Sequence, residues 1–143
     1  MNPKRVPGQR AIIDRRALAE DRLELDYQEL EPLKASRQRG GVHLEILLRL
    51  RDGQGVERLA GEFIPAAENA GLLPKLDRWT MEQALSLLQK RRAESKPVRL
   101  FVSQSPRTLA QDNYASWLAQ ALESASIDGT SLVIDLRLED ALV

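Results

Sequence analysis

The sequence predicts an α/β fold with about four strands and interleaved helices, and three observations lead to this class. Apolar and polar residues alternate with a period of two in four segments, which is typical of strands. Those segments are residues 23–28, 43–50, 98–103 and 132–136. Helical spacing separates the later strands, and the order strand, helix, strand, helix, strand implies right-handed crossovers between parallel strands.

The composition limits both the class of protein and the kind of site. The chain has 143 residues, which suits one domain with a substantial core. Its 21 basic and 21 acidic residues argue against a general electrostatic grip on a nucleic-acid polymer or an anionic membrane. Cysteine is absent and His43 is the one histidine, so a metal would need oxygen ligands, which favours magnesium, calcium or manganese. No apolar run has the length of a membrane span, and we expect a cytoplasmic location.

The first third of the chain is expected to hold a lead-in, a helix and the first strand. Residues 1–10 are basic and contain two prolines, so we predict a disordered segment that is not a secretory signal. Residues 11–21 contain good helix formers, and the strand at 23–28 follows. Residues 34–41 are polar and close with two glycines. This connection leaves two arrangements open: antiparallel strands, or parallel strands with an irregular crossover.

The strand at 43–50 has two chemically different faces, because successive strand side chains lie on opposite sides. One face suits packing under helices and consists of Leu44, Ile46, Leu48 and Leu50. The opposite face consists of His43, Glu45, Leu47 and Arg49. This second face is interpreted as a solvent-exposed surface, as the lining of a polar pocket, or as a simple pairing of Glu45 with Arg49.

Turn and helix signals fill the middle of the chain. We expect a turn at 52–55, a short helix at 66–71 that ends at Gly71, and a longer helix after Pro74. The apolar positions of the longer helix are Met81, Ala84, Leu85 and Leu88. Its basic end at 90–92 is interpreted as favourable charge at a helix C-terminus rather than a nucleic-acid patch.

The last helix is expected to begin near Asp112 or Asn113, either of which can cap it. Its apolar positions are Leu118, Ala121, Leu122 and Ala125. We interpret Trp79 and Trp117 as anchors that pack helices on the sheet rather than as platforms for base stacking.

Each predicted strand carries a polar residue that faces away from its aliphatic side. These residues are Gln28, Glu45 with Arg49, Ser103 and Asp135. In a parallel barrel such groups cluster at the C-terminal strand ends. There Glu45 and Asp135 could share a hard cation, and Arg49 could donate a forked hydrogen bond to a phosphate.

Three blocks resemble the EAL domain family in their order and spacing. They are Leu25–Gln28, Leu44–Arg49 and Phe63–Leu73. Members of that family are cyclic-di-GMP phosphodiesterases, or inactive relatives that bind the nucleotide or a protein partner. The resemblance covers most of residues 11–140 but corresponds to only the first half of a family domain, whose fold is a variant TIM barrel of roughly 250 residues. It therefore implies a half barrel over residues 11–143.

The resemblance assigns roles to matching positions. It makes Glu45 a metal-ligating glutamate, places Gln28 near a guanine base, and puts Arg49 on a nucleotide phosphate. The other positions that it places beside the nucleotide are Leu47, Phe63, Ile64, Pro65 and Glu68. Magnesium or manganese is the metal that it implies.

Departures from the family pattern weaken the implied chemistry. The family alanine is Ile46 here, the third-strand asparagine is Ser103, and the fourth-strand glutamate is Asp135. Two further family positions are Arg137 and Leu138, and the paired aspartates and catalytic lysine of the second half are absent. A cage that activates water needs several anionic oxygens, so we predict no phosphodiesterase activity and regard Glu45 and Asp135 as vestigial metal ligands.

The expected function is a degenerate, inactive module of a bacterial cyclic-di-GMP signalling protein. It would act through a protein partner or through weak residual nucleotide binding. The alternative is a fragment of an active phosphodiesterase whose second half is missing, and a third interpretation is an assembly module without a ligand. Because half a barrel leaves open strand edges, we also expect self-association into a homodimer or a larger oligomer.

Overall fold

Five strands and four helices make up the part of the chain that the computed structural model describes, residues 22–33 and 41–136. The strands are Leu23–Glu29 (β1), Val42–Arg51 (β2), Glu57–Leu59 (β3), Val98–Ser103 (β4) and Leu132–Asp135 (β5). The helices are Ala60–Asn69 (α1), Leu73–Ala93 (α2), Pro106–Leu109 (α3) and Tyr114–Ser124 (α4). A short 3-10 turn, Gly129–Ser131, precedes β5. The predicted lead-in at 1–10 and the helix at 11–21 lie outside the described residues.

The strands form one mixed sheet in the order β1-β2-β4-β5, with β3 paired to the end of β2. β1 runs antiparallel to β2, with Leu25 opposite Leu48, which decides between the two arrangements left open by the sequence. β2, β4 and β5 are parallel to one another, and Ser103 lies opposite Asp135. The predicted α/β class and the parallel crossovers are confirmed. The C-terminal ends of these three strands therefore meet at one edge of the sheet.

The apolar face of β2 joins two hydrophobic cores beneath the helices. Leu50 is completely buried against α1 and the start of α2, and Leu44 is buried against the rest of α2. The first core contains Leu23, Leu50, Phe63, Ala67, Leu72, Leu73 and Leu76. The second core contains Leu44, Ile46, Met81, Ala84, Leu85, Leu88, Val98, Leu100 and Val102. The two-faced interpretation of this strand is thus confirmed.

Helix α1 begins earlier than the sequence pattern indicates. The prediction of a helix at 66–71 is wrong, because the helix starts at Ala60 and carries Pro65 in its interior. The Glu62 carboxylate accepts a hydrogen bond from the Leu59 backbone N–H at 2.8 Å, which satisfies a donor that the helix start would otherwise leave unpaired. Gly71 ends the segment with a φ of +69°, as predicted, in a conformation that glycine adopts without steric cost.

Helices α2 and α4 follow their predicted periodicity. The four predicted apolar positions of α2 are buried, and residues 90–92 occupy its last turn. Helix α4 starts after Asn113, but the Asn113 side chain does not cap it. Its Oδ1 instead accepts a hydrogen bond from Arg78 at 2.7 Å, so the predicted cap bond is wrong. Trp79 and Trp117 pack against the two cores, as predicted.

The sheet has two outer edges within the described residues, since β1 pairs only with β2 and β5 pairs only with β4. The short strand β3 and the short helix α3 are absent from the sequence prediction, because three and four residues are too few to show a period. Among the helices described, none combines the length and the apolar character needed to cross a membrane.

Candidate functional site

A cleft of about 820 Å³ opens at the C-terminal ends of the parallel strands. It forms where the pairing of β2 changes, because β4 pairs with residues 42–45 and β3 with residues 49–51. Residues 46–48 of β2, between the two paired stretches, line the cleft. Helix α1, the start of α2 and residues 103–107 complete its walls. The position agrees with the general rule that ligands bind outside the C-terminal ends of parallel strands.

Seven of the nine predicted site residues line this cleft. They are Glu45, Leu47, Arg49, Ile64, Pro65, Glu68 and Asp135. Gln28 is exposed on β1 opposite Glu45 and does not line the cleft. Phe63 has no exposed surface and packs in the first core, so it supports α1 from behind rather than lining the cleft. The structure thus brings together residues from β2, α1 and β5.

Arg49 forms ion pairs with carboxylates on β1 and β3, the two strands that pair with this part of β2. Its Nη1 lies 2.9 Å from an oxygen of Glu57 on β3, and its Nε lies 3.3 Å from Asp26 on β1. The buried Nε–H is not aligned for a hydrogen bond, although the Asp26 charge is close. The alternative in which Arg49 pairs with Glu45 is therefore wrong, and the charge of Arg49 is offset by side chains on β1 and β3.

Ser103 and Asp135 are register partners, and their side chains contact each other. The Ser103 hydroxyl donates a hydrogen bond to the Asp135 carboxylate. The adjacent amide of Gln104 points away into the protein, as the strand alternation predicts. Its nitrogen donates to the carbonyls of Asp77 and Ser103, both at 3.1 Å, and its oxygen accepts from Tyr114 at 2.7 Å. Gln104 cannot replace the amide that position 103 lacks.

Asp77 is a buried carboxylate in the wall of the cleft that the sequence prediction does not include as a site residue. One of its oxygens accepts hydrogen bonds from the Ser105 backbone N–H at 3.0 Å and the Ser105 hydroxyl at 2.7 Å. The same oxygen accepts from the Thr108 hydroxyl. The Ser105-Pro106 pair is the one sequence signal of this arrangement, because Ser105 caps the helix that Pro106 begins. Asp77 thereby fixes the cleft wall between β4 and α3.

Tyr114 closes this buried cluster on the side of α4. Burial and, to a smaller extent, the nearby Asp77 charge raise the pKa of its hydroxyl to about 12, against a smaller lowering by Arg78. The neutral hydroxyl donates to Gln104, which in turn holds the backbone of Asp77 and Ser103. The network therefore ties α2, β4 and α4 together directly beneath the cleft.

An α/β sheet with a cleft at its parallel strand ends is typical of a partial barrel of the TIM type. The family model of the EAL domain matches residues 14–142. The chain therefore belongs to the EAL domain family.

Known structures and proteins agree with this assignment. The FimX EAL domain from Pseudomonas aeruginosa, solved bound to c-di-GMP, is 32% identical with a TM-score of 0.77, and the match covers 89% of this chain and 49% of that chain. The PaMucR phosphodiesterase, solved as a c-di-GMP complex, is 26% identical with a TM-score of 0.71 over 89% of this chain and 53% of that chain. The cyclic di-GMP phosphodiesterase PdeF of Escherichia coli K12 is 30% identical over 73% of this chain and 14% of its own length. The chain thus spans about half of these EAL structures and a small part of PdeF.

EAL domains in general depend on a metal, and the residues of this cleft fit one poorly. Within residues 22–33 and 41–136, no group of three or more His, Cys, Asp or Glu side chains is placed to hold an ion. Asp135 is hydrogen-bonded to Ser103, and the serine supplies neither charge nor a carbonyl oxygen. Magnesium and manganese prefer several hard oxygen ligands at fixed geometry. The described cleft does not supply that set.

Proposed function

We propose that this chain is a catalytically inactive EAL module of a bacterial cyclic-di-GMP signalling protein, acting through weak nucleotide binding or a protein partner. The observation that carries the proposal is the composition of the cleft. It combines residues that suit a nucleotide with an incomplete set of metal ligands. A site of this kind can retain recognition after it has lost hydrolysis, because recognition does not require an activated water.

The nucleotide-binding part of the proposal rests on the walls of the cleft. Leu47, Ile64 and Pro65 supply apolar surface for a base, and Arg49 supplies a forked donor for a phosphate. The volume of about 820 Å³ lies in the range of small-molecule sites. Gln28 and Phe63, which do not line the cleft, would contribute only after a rearrangement of β1 or α1.

The inactive part of the proposal rests on the anionic groups. Glu45 and Asp135 are the vestigial metal ligands of the proposal, and Ser103 stands at the third ligand position. Two carboxylates and a hydroxyl leave a divalent ion dependent on water for most of its coordination, which weakens its hold. We therefore derive no hydrolytic step for this chain.

Calorimetric titration with cyclic-di-GMP, with and without magnesium, tests both parts. We expect weak binding that magnesium changes little, and no linear dinucleotide product after prolonged incubation with magnesium or manganese. Arg49→Ala should abolish the binding, whereas Lys96→Ala, an exposed residue outside the cleft, should leave it unchanged. Metal-dependent cleavage would refute the inactive assignment, and a complete lack of binding would favour an assembly module without a ligand.

A second candidate function follows from the length of the match. Because the chain covers 49% of the FimX EAL chain and 53% of the PaMucR chain, it also fits a part of an active cyclic-di-GMP phosphodiesterase. Sequencing the gene beyond codon 143 distinguishes the candidates. Paired aspartates and a lysine in a following half domain, together with cleavage by the longer protein, would support this second candidate.

We further propose that a second copy or a protein partner covers the outer edges of β1 and β5. Unpaired strand edges expose backbone donors and acceptors that readily pair with another chain. Light scattering coupled to size-exclusion chromatography should show a dimer or a larger species, and a stable monomer across micromolar concentrations would refute self-association.

We also propose that the module spans residues 11–143 and that it lies in the cytoplasm, where cyclic-di-GMP signalling would take place.

A further inference from the structure

The cleft contains two arginines whose electrostatic surroundings differ. Arg49 is shared between Asp26 and Glu57, so carboxylates already offset its charge. Arg107 lines the same cleft, and its side chain is exposed. Within the described part of the chain, Arg107 has no ion pair. Of these two arginines, Arg107 is therefore the one whose guanidinium is available to bind an anion.

The backbone on both sides of Arg107 is held firmly. Ser105 bonds to Asp77 through its backbone N–H and its hydroxyl, and Thr108 bonds to the same carboxylate through its hydroxyl. The Thr108 backbone N–H also donates to the Ser105 hydroxyl at 3.2 Å. Asp77 is itself buried on α2. Arg107 thus extends from a fixed turn, which lowers the entropic cost of holding its side chain against a ligand.

The remaining charges of the cleft make such a cation necessary for an anionic ligand. Four carboxylates also line the cleft and repel a phosphate, those of Glu45, Glu68, Asp77 and Asp135. In a metal-dependent site a divalent ion would offset this repulsion, but the described residues do not form a site for one. A cyclic dinucleotide carries two phosphodiester charges, and the partly neutralised Arg49 offsets less than one of them.

We propose that Arg107 is a second phosphate-binding residue, which holds a phosphodiester of the dinucleotide in the absence of a metal ion. This assignment rests on the proposed nucleotide-binding function of the cleft. Arginine suits the role because its planar guanidinium can donate two parallel hydrogen bonds to phosphate oxygens. It lies on a wall separate from β2, so we assign Arg107 and Arg49 to different phosphates of one ligand.

The test is titration with cyclic-di-GMP in the presence of a chelator, at low and at physiological salt. We expect Arg107→Gln to weaken binding about tenfold, with a smaller difference at the higher salt concentration. Arg107→Lys should recover part of the loss, because it retains the charge but not the forked geometry. The matched control is Lys90→Gln, which removes an exposed positive charge from the far end of α2 without touching the cleft.

The outcomes separate this assignment from the proposed function. If the wild-type chain binds and Arg107→Gln binds equally well, the role of Arg107 is overturned while the nucleotide site stands. If Lys90→Gln weakens binding as much as Arg107→Gln, only the net charge matters and the assignment is again overturned. If the wild-type chain does not bind, both the nucleotide site and the role of Arg107 are overturned.

Discussion

Removal of the Asp77 carboxylate should destabilise the protein more than removal of any other single carboxylate that lines the cleft. In Asp77→Ala the Ser105 backbone N–H and one of the hydroxyls of Ser105 and Thr108 lose their acceptor. The two hydroxyls can still bond to each other, since their oxygens are 2.9 Å apart. Each buried donor left unpaired costs about 1–3 kcal/mol, so the loss of both should lower the free energy of unfolding by about 2–6 kcal/mol.

Equilibrium unfolding in urea, followed by the fluorescence of the two tryptophans, measures this loss. Asp77→Asn retains an acceptor oxygen but not the charge. It should lower the free energy of unfolding by about 1 kcal/mol for each charge-assisted hydrogen bond that it weakens. Asp135→Ala is the matched control, because Asp135 is half-buried and accepts one side-chain hydrogen bond, from Ser103. A loss in Asp77→Ala no greater than that in Asp135→Ala would refute the structural role of the buried network.

A double-mutant cycle localises the effect. Thr108→Val removes the hydroxyl that donates to Asp77, while its shape is nearly unchanged. The losses in free energy of unfolding caused by Asp77→Ala and Thr108→Val should therefore be strongly non-additive. The double mutant should lose less than the sum of the two single losses. Additive losses would show that Asp77 acts through contacts other than Thr108.

Three further predictions follow from the cores and the charges. Phe63→Ala should lower the free energy of unfolding by about 3–5 kcal/mol in urea, because Phe63 is completely buried; a loss under about 1 kcal/mol would contradict the described packing. Glu57→Gln should strengthen cyclic-di-GMP binding about two- to fivefold by titration, since it frees Arg49 from an ion pair worth up to about 1 kcal/mol, whereas Glu24→Gln should not. Tyr114 has a pKa of about 12 in the folded chain against about 10 when unfolded, so its contribution to stability should be complete below pH 10 and decline as the pH rises from about 10 to 12. The urea midpoint of Tyr114→Phe should therefore fall less than that of the wild type as the pH rises from about 10 to 12.

The parts of the fold with a clear period were predictable, and β2 is the best example. Its four aliphatic residues alternate with His43, Glu45, Leu47 and Arg49. The structure packs the aliphatic residues against the helices and places Glu45, Leu47 and Arg49 in the cleft. The sequence pattern predicts too short a helix α1, because Pro65 normally marks a helix start or break. Burial of Phe63 and Ala67 in the first core favours the longer helix, and the Glu62–Leu59 capping interaction at its start is visible in the sequence only once that start is known.

The site was predictable where one strand or one segment supplies the residues. The ion pairs of Arg49 were not, because Asp26 and Glu57 become its neighbours only after β1 and β3 have paired with β2. The Asp77 network joins α2 to the turn after β4, across about 28 residues of sequence. No local pattern encodes such a contact, since it depends on how a helix packs on the sheet.

The antiparallel pairing of β1 with β2 has a practical consequence for surface immobilisation. β1 ends and β2 begins at the edge of the sheet opposite the cleft, so Leu33 and Gly41 lie at the remote side of the protein. Leu33 is fully exposed, and the chain contains no cysteine. Leu33→Cys therefore introduces a unique thiol, through which the protein can be tethered to a sensor surface or carry a fluorophore while the cleft faces the solution.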